Sequence, residues 1–319
     1  MMGRWVEPDQ RDEVVDYVQR FSTETGVSRN KIVCWLGMPR SKYYEWCKRY
    51  GTLNQHNGKK PRHFWLEEWE REAIREYFKF HPFVGYRRLS YMMIDADVVA
   101  ASPSTVYRVL DEAGLLERIT WAKSKKGTGF DQPKGPHCDW HTDITHVWAG
   151  DVCYNLTCVL DGYSRYILGW TLTETMTSEQ MELFIQRVRE QYPETHAKLI
   201  SDNGPQFIAK EFANFIKGTG MRHWRTSAYY PQSNGKQERV HGTIKTECLR
   251  RKCPQTMEDA NTVLTTYIRE YNEERLHSAI GYVTPKDMLE GRQAAIHAER
   301  DRKLEAARER RKEARHEVA

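Results

Sequence analysis

Hydrophobic positions at the start of the chain recur at the spacing of amphipathic helices. Apolar side chains three and four residues apart, from Val14 onward, predict a first helix that ends near Gly26. Ser28 and Ser41 stand where N-caps would begin two further helices. Three short helices joined by tight turns, over residues 1–50, are typical of a helix-turn-helix module.

A second group of three helices is predicted over residues 64–116, after a linker at 51–63 that has no apolar periodicity. Its last helix begins at Ser102, with Pro103 in the first helical position, and ends at Gly114. This group also resembles a helix-turn-helix. A plain three-helix bundle is the alternative, but two such groups beside a basic segment favour DNA binding.

After Cys138 the periodicity changes to that of β-strands. Three runs rich in Val, Ile, Thr and Tyr, separated by turn residues, predict an antiparallel meander. Strands then alternate with helices, which predicts a mixed five-stranded sheet with flanking helices over residues 139–291. Residues 292–319 are expected to form an exposed, charged helical tail with little core of its own. The fold class is therefore α+β, with two small all-α modules before the sheet.

Composition narrows the class of protein. A chain of 319 residues favours two or more domains, and 39% apolar residues exclude disorder throughout. No apolar stretch approaches the ~20 residues of a membrane span and no signal-type segment stands at the N-terminus, so we expect a cytoplasmic protein with no membrane partner. The seven cysteines include no C-x-x-C pair, which favours reduced, mostly buried thiols over a metal-thiolate site.

The net charge of +5 is distributed unevenly. Residues 1–138 carry 23 basic and 18 acidic side chains, whereas residues 139–319 carry 26 of each. Residues 117–138 form a basic segment in which lysines alternate with Gly, Pro and aromatic residues. Such a segment suits a phosphate backbone, and an ordinary solvated linker explains it equally well.

Three acids lie where a sheet element turns into a loop or a helix: Asp143, Asp202 and Glu238. Strand ends that face one crevice are where open sheets place their ligands. Converging carboxylates would bind Mg²⁺, and two such ions can stabilise both oxygens in phosphodiester cleavage. Acids at these places also serve as caps and turn formers, which remains the alternative for each and the better explanation for Asp151 and Asp161.

The helix predicted around Glu238 has two distinct faces. At about 100° per residue, Val240, Ile244 and Cys248 form an apolar arc, and Lys245 falls on the same side as Glu238. A carboxylate and a cation in one stripe would suit a metal ion at one end and a DNA phosphate at the other.

The motifs around these acids resemble the DDE transposases of bacterial insertion sequences, whose core is shared with retroviral integrases. The resemblance is closest to the insertion sequence three family. It covers about residues 132–289, through Trp140 with HTDIT, LDGYSRYILGW, SDNGPQF, YYPQSNGKQERVHGTIKTE and EYNEERLHSAIGYVTP. The motif order, the 35 residues between Asp202 and Glu238, and the lysine seven positions after Glu238 make the signal specific.

The resemblance implies an RNase H-like catalytic core. In it, Asp143, Asp202 and Glu238 would bind two Mg²⁺ or Mn²⁺ ions, expose a 3′-hydroxyl at the element end and direct it onto a target phosphodiester. Lys245 would position the DNA backbone. The supporting residues would be Asn203, Gly204, Asn234 and Arg239.

The partners that the resemblance implies are DNA, as terminal inverted repeats and target, and further copies of the chain on paired ends. An upstream-frame partner protein or a frameshift fusion is a further expectation. The alternative is a catalytically silent DNA-binding regulator or a domesticated integrase-like protein. An RNA-degrading nuclease of the same fold would be expected to carry four acids and no lysine at this helical position.

Further DNA contacts are predicted outside the core. They are basic or polar residues of the helical modules and of the basic segment: Arg29, Lys31, Arg40, Lys42, Ser104, Thr105, Tyr107, Arg108, Lys123, Lys125 and Lys126.

Overall fold

A computed structural model describes Val6 and residues 8–52, 65–116, 132–226 and 235–317. The chain forms two compact units, Met1–Trp65 and Leu66–Ala319. The second predicted helical group, the sheet and the C-terminal helix therefore belong to one unit. Most of the predicted linker at 51–63 and of the basic segment at 117–138 lies outside the described residues.

The first unit contains the three predicted helices: α1 (Pro8–Thr25), α2 (Arg29–Trp35) and α3 (Arg40–Lys48). Its core comprises Val15, Val18, Ile32, Val33 and Tyr43. The expectation that Ser41 caps α3 is wrong. The N-cap is Pro39, because its carbonyl oxygen already accepts the first helical hydrogen bonds. Ser28 does precede α2, but its side chain makes no capping hydrogen bond.

The second helical group, at the start of the second unit, also forms as predicted. It consists of α4 (Glu68–Phe80), α5 (Tyr86–Asp95) and α6 (Pro103–Glu112). Ile74, Leu89, Met93, Val106 and Leu110 lie in its core. The hydroxyl of Ser102 accepts a hydrogen bond from the backbone N–H of Thr105, and Gly114 has φ +68°, so both predicted helix ends are confirmed.

A five-stranded mixed sheet forms the centre of the second unit, as predicted. Its strands are β1 (Asp139–Ala149), β2 (Val152–Asp161), β3 (Ile167–Thr173), β4 (Lys198–Ser201) and β5 (Arg222–Arg225). Their order is β3-β2-β1-β4-β5. β1, β2 and β3 form the antiparallel meander, while β4 pairs parallel with β1 and β5 parallel with β4. β4 contacts β1 only over Asp139–His141.

Helices cover both faces of the sheet. One face packs against α7 (Ser178–Gln191), α8 (Pro205–Ile208) and α9 (Lys210–Gly218). The other packs against α10 (Gly235–Thr243), a π-helical segment (Ile244–Leu249) and α12 (Met257–Glu273). The remaining helices are α11 (Arg250–Lys252), α13 (Pro285–Leu289) and α14 (Gln293–Glu317). This three-layer arrangement places Asp143 on the sheet and Glu238 on a helix that covers it.

The helix after Glu238 departs from the uniform α-helix expected from the sequence. From Ile244 to Leu249 it is a π-helix, and the backbone N–H of Arg250 donates to the carbonyl of Lys245 five residues earlier. The hydroxyl of Thr246 donates to the carbonyl of Gly242 at 2.8 Å, a side-chain bond that competes with the regular helical ladder. Single π-helical turns often occur at functional sites.

The C-terminal helix α14 is not the exposed tail that its charged sequence predicts. One face of the helix carries three residues spaced seven and four positions apart: Arg300, Ala307 and Arg311. Each of them is at least 96% buried. Arg300 forms a bidentate ion pair with Asp95 of α5, and Arg311 one with Glu70 of α4. The helix itself is confirmed, but its long arginines lie against the second helical group.

All seven cysteines are free thiols, but the expectation that most are buried is wrong. Only Cys158 and Cys248 are buried, on the inner faces of β2 and the π-helical segment, while Cys34, Cys138 and Cys253 are exposed. Among the described residues, no helix is both long enough and apolar enough to cross a membrane.

Candidate active site

Asp143 lies on β1, the central strand, directly opposite Cys158 of β2. Its Oδ1 accepts a hydrogen bond from the backbone N–H of Ile144 at 2.9 Å. Burial is the main reason that the pKa of Asp143 rises to about 7, and the negative charges of Asp202 and Glu238 raise it further. Because both charges act on Asp143, the three predicted acids lie near one another in the fold.

Asp202 directly follows β4. The last pair between the parallel strands β1 and β4 is His141 with Ile200. Asp143 and Asp202 each stand two residues beyond this pair, Asp143 within β1 and Asp202 directly after the end of β4, next to the point where the two strands pair at a spacing of about 4.8 Å. Oδ1 of Asp202 accepts a hydrogen bond from the backbone N–H of Gly204 at 3.0 Å, which stabilises the turn after the strand.

Glu238 is exposed in the first turns of α10. This helix packs on the sheet through the buried Val240. The neighbouring Gln237 is fully buried, and its Nε2 donates to the carbonyl of Cys158 at 3.0 Å. Since Cys158 faces Asp143 across the β1–β2 ladder, this bond holds the helix that carries Glu238 over the strand that carries Asp143.

Lys245 lies beside the acids. Its Nζ donates to the hydroxyl of Thr145 at 2.6 Å. Thr145 is two residues after Asp143 and therefore on the same face of β1. The positive charge of Lys245 counteracts the increase in the pKa of Asp143. The helix reaches Lys245 through a π-helical turn, and a role of this residue at the acids stays a prediction.

His241 is a member of the site that the sequence did not identify. It is 5% exposed, and its Nδ1 lies 3.7 Å from Oδ2 of Asp143. Burial, followed by the positive charge of Lys245, lowers the pKa of His241 to about 3, so the ring is neutral at physiological pH. The sequence places His241 three residues after Glu238, which could have indicated that it lies near the site. Burial of its ring, however, depends on packing that the sequence does not show.

The donor set fits a hard divalent cation. Three carboxylates supply only oxygen ligands, which Mg²⁺ and Mn²⁺ prefer. A cation between them would offset the mutual repulsion that contributes to the raised pKa of Asp143. Within the described ranges, however, no group of three or more His, Cys, Asp or Glu side chains lies together closely enough to hold a metal ion.

The predicted supporting residues have different positions. Nδ2 of Asn203 donates to the carbonyl of Thr226 at 2.7 Å and so ties the loop after β4 to the end of β5. Arg239 is exposed on α10 next to Glu238. Asn234 lies outside the described residues. Asp161 accepts hydrogen bonds from the backbone N–H and the hydroxyl of Ser164, as expected of a turn former.

The other predicted DNA contacts belong to the helical groups and to the basic segment. On α6, the side chains of Ser104, Tyr107 and Arg108 are exposed and Thr105 is half-buried. On α2 and α3, the exposed residues are Arg29, Lys31 and Arg40, and Lys42 is half-buried. Lys123, Lys125 and Lys126 lie outside the described residues. Contact of these side chains with DNA stays a prediction.

Comparison with protein families identifies the core. Two family profiles, both described as "Integrase core domain", match residues 133–231 and 219–285. Together with the order β3-β2-β1-β4-β5, these matches identify an integrase core domain of RNase H-like fold in this chain.

The chain is also similar to proteins of bacterial insertion sequences. It is 23% identical over 238 residues to the transposase for insertion sequence element IS904 of Lactococcus lactis, covering 68% of this chain and 94% of the relative. It is 24% identical over 236 residues to an uncharacterized 31.7 kDa protein of insertion element IS407 of Burkholderia multivorans, covering 67% and 78%. The similarity is therefore to proteins of insertion sequences, among them a transposase.

Solved structures with similarity to this chain are viral integrases. The catalytic core domain of HTLV-2 integrase in complex with magnesium is 19% identical, with a TM-score of 0.40, over 49% of this chain and 97% of that chain. The catalytic core domain of BIV integrase is 25% identical, with a TM-score of 0.40, over 50% and 98%.

Proposed function

We propose that the protein is the transposase of a bacterial insertion sequence of the insertion sequence three family. It nicks the DNA at the 3′ ends of its element and joins the exposed 3′-hydroxyls to a target phosphodiester. The observation that carries this proposal is the placement of Asp143 in β1 and of Asp202 directly after the neighbouring strand β4, within a region that matches the integrase core domain.

Asp143, Asp202 and Glu238 are the residues that would hold two Mg²⁺ ions, with Mn²⁺ as a substitute. When bound, such ions supply charge stabilisation for the attacking and the leaving oxygen of the phosphodiester. Asp143 is held within β1 and Asp202 directly after the neighbouring strand β4, whereas Glu238 comes from the covering helix. His241, neutral and buried, limits the access of water to one side of Asp143.

Lys245 positions the DNA backbone. Its bond to Thr145 places the ammonium group on the same face of β1 as Asp143. A phosphate next to the scissile bond would take the place of the Thr145 hydroxyl as partner, because a charge-assisted hydrogen bond to a phosphate is the stronger interaction. Arg239, Asn203 and Asn234 support the DNA around this point.

The two helical groups recognise the terminal inverted repeats as helix-turn-helix modules. In each, the proposed contacts are polar or basic residues of a late helix, such as Arg40 in α3 and Arg108 in α6. The protein acts in the cytoplasm as a homo-oligomer that holds two ends together, alone or with an upstream-frame partner.

The proposal is tested with the purified full-length chain and a duplex that carries the terminal sequences of the element encoding it. We expect strand-specific nicks at the 3′ ends with Mg²⁺ or Mn²⁺ and none with EDTA, because the carboxylates need cations to stabilise the reacting phosphate. A duplex with scrambled ends is the control, and an RNA–DNA hybrid tests the nuclease alternative.

Specific binding of the ends without nicking, in Mg²⁺ and in Mn²⁺, would identify a catalytically silent regulator. Degradation of the RNA strand in the hybrid, without nicking of the ends, would identify a ribonuclease of the same fold. Either result would contradict the proposal.

A further inference from the structure

A groove runs along the free edge of the β1–β2 hairpin. β4 pairs with β1 only as far as His141, so none of the described strands lies next to this edge of β1 from residue 142 onward. The groove encloses about 560 Å³ between the hairpin and the end of the π-helical segment. Residues that line it include His146, Trp148, Asp151, Lys245 and Arg250.

Trp148 is the most unusual residue of this groove. It is 63% exposed although it lies in the regular ladder of β1, opposite Cys153. His146 is exposed on the same face, two residues earlier and therefore about 6.6 Å away. Two neighbouring aromatic rings that are exposed form a surface on which planar groups can stack.

The charges of the groove favour an anionic ligand. Lys245 and Arg250 line it on the helical side, and Asp151 is the one acid among the lining residues. Lys245 also bonds Thr145, and side chains alternate along a strand, so Lys245 and Asp143 lie on the opposite face of β1 from Trp148 and the groove passes around the free edge of the strand. Stacking rings and cations together are the features by which proteins bind single-stranded nucleic acid.

We propose that this groove binds a single-stranded segment of DNA adjacent to the scissile phosphate. Trp148 stacks on an unpaired base, and Arg250 contacts a phosphate of the same strand. A duplex is a poorer ligand, because the faces of its bases are already covered by their neighbours in the stack. The inference rests on the proposed function, since it gives the carboxylate site a substrate whose strands are separated locally.

The test measures binding of a labelled single-stranded oligonucleotide of about 15 thymidines to the full-length chain in EDTA, by fluorescence anisotropy. Trp148→Ala is expected to weaken binding about tenfold, within the range of base stacking on aromatic residues, and Trp148→Phe to restore most of it. Trp224→Ala is the matched control, because Trp224 is 65% exposed but lies on β5. Its affinity should equal that of the wild type.

A second measurement addresses the phosphate contact. Arg250→Ala should reduce the slope of log affinity against log salt by about 0.7, the value for one contact to a single strand. Arg187→Ala is the control, because Arg187 is exposed on α7 and is not among the residues that line the groove. Thermal denaturation verifies that each variant is folded.

Unchanged oligonucleotide binding by Trp148→Ala, or an equal loss in Trp224→Ala, would overturn the inference. So would a change in sedimentation of Trp148→Ala with oligonucleotide affinity intact, since the groove would then hold another protein chain. The assay contains no metal ion and does not measure nicking. A negative result would therefore overturn this inference and not the proposed nicking activity. Conversely, suppose that Trp148→Ala weakens oligonucleotide binding as expected while the wild-type chain never nicks DNA. That outcome would contradict only the proposed function.

Discussion

Asp202→Asn is expected to slow nicking of the element end by at least about 10³-fold, because loss of one metal-binding carboxylate removes several kcal/mol of transition-state stabilisation. The asparagine keeps the shape of the side chain, and its Oδ1 can still accept the hydrogen bond from Gly204 that shapes the turn after β4. The fold and the affinity for DNA should therefore persist. The measurement is the single-turnover nicking rate in Mg²⁺, with DNA affinity determined in parallel.

Asp143→Asn and Glu238→Gln should have similar effects, since the three carboxylates act as one site. Asp301→Asn serves as the matched control, because Asp301 is an exposed aspartate on α14. It should leave the nicking rate unchanged. A rate in Asp202→Asn within tenfold of the wild type would show that Asp202 is not a catalytic ligand.

Arg311→Met is expected to destabilise the second unit by about 3–5 kcal/mol, the usual loss when a buried ion pair loses one partner. Arg311 donates to both carboxylate oxygens of Glu70, at 2.7 and 2.8 Å, and to the carbonyl of Ala100. Glu70 is only 3% exposed, so the variant leaves a buried carboxylate without its counter-charge. The measurement is the free energy of unfolding, determined by chemical denaturation of the variant and of the wild type.

Two further variants separate the ion pair from the general effect of losing an arginine. Arg308→Met removes an exposed pair with Glu305 on the same helix and should change the free energy of unfolding by less than about 1 kcal/mol. The double variant Glu70→Gln with Arg311→Met should recover part of the loss, because it removes the unpaired charge. A single variant Arg311→Met as stable as Arg308→Met would mean that α14 does not depend on this contact.

The parts of the fold that depend on local pattern were predictable. The meander of β1, β2 and β3 follows from alternating apolar residues with turn residues between them, and the caps at Ser102 and Gly114 from local chemistry. The three acids were identified from motif order and spacing. The approach of Asp143 and Asp202 to each other follows from the parallel register of β1 with β4, which pairs residues 59 positions apart, whereas Glu238 comes from α10.

The parts that depend on distant contacts were not predictable. The charged sequence of α14 shows no apolar stripe, yet Arg300 and Arg311 are buried because α4 and α5 supply carboxylates to pair with them. Burial of His241 against Asp143, and the exposure of Trp148 at the hairpin, likewise depend on which elements pack together. The sequence specifies the side chains, whereas the tertiary structure determines which of them are buried and against which partners.

The central claim is that Asp143, Asp202 and Glu238 bind the catalytic metal ions, and an exchange of ligand type at Asp202 tests it most directly. Mg²⁺ prefers oxygen ligands, whereas a thiolate favours transition metals over Mg²⁺. In Asp202→Cys we predict that nicking of the element end is lost with Mg²⁺ and restored with Mn²⁺, while the wild type is active with both. The same ratio of Mn²⁺ to Mg²⁺ activity in the variant and the wild type would contradict the account.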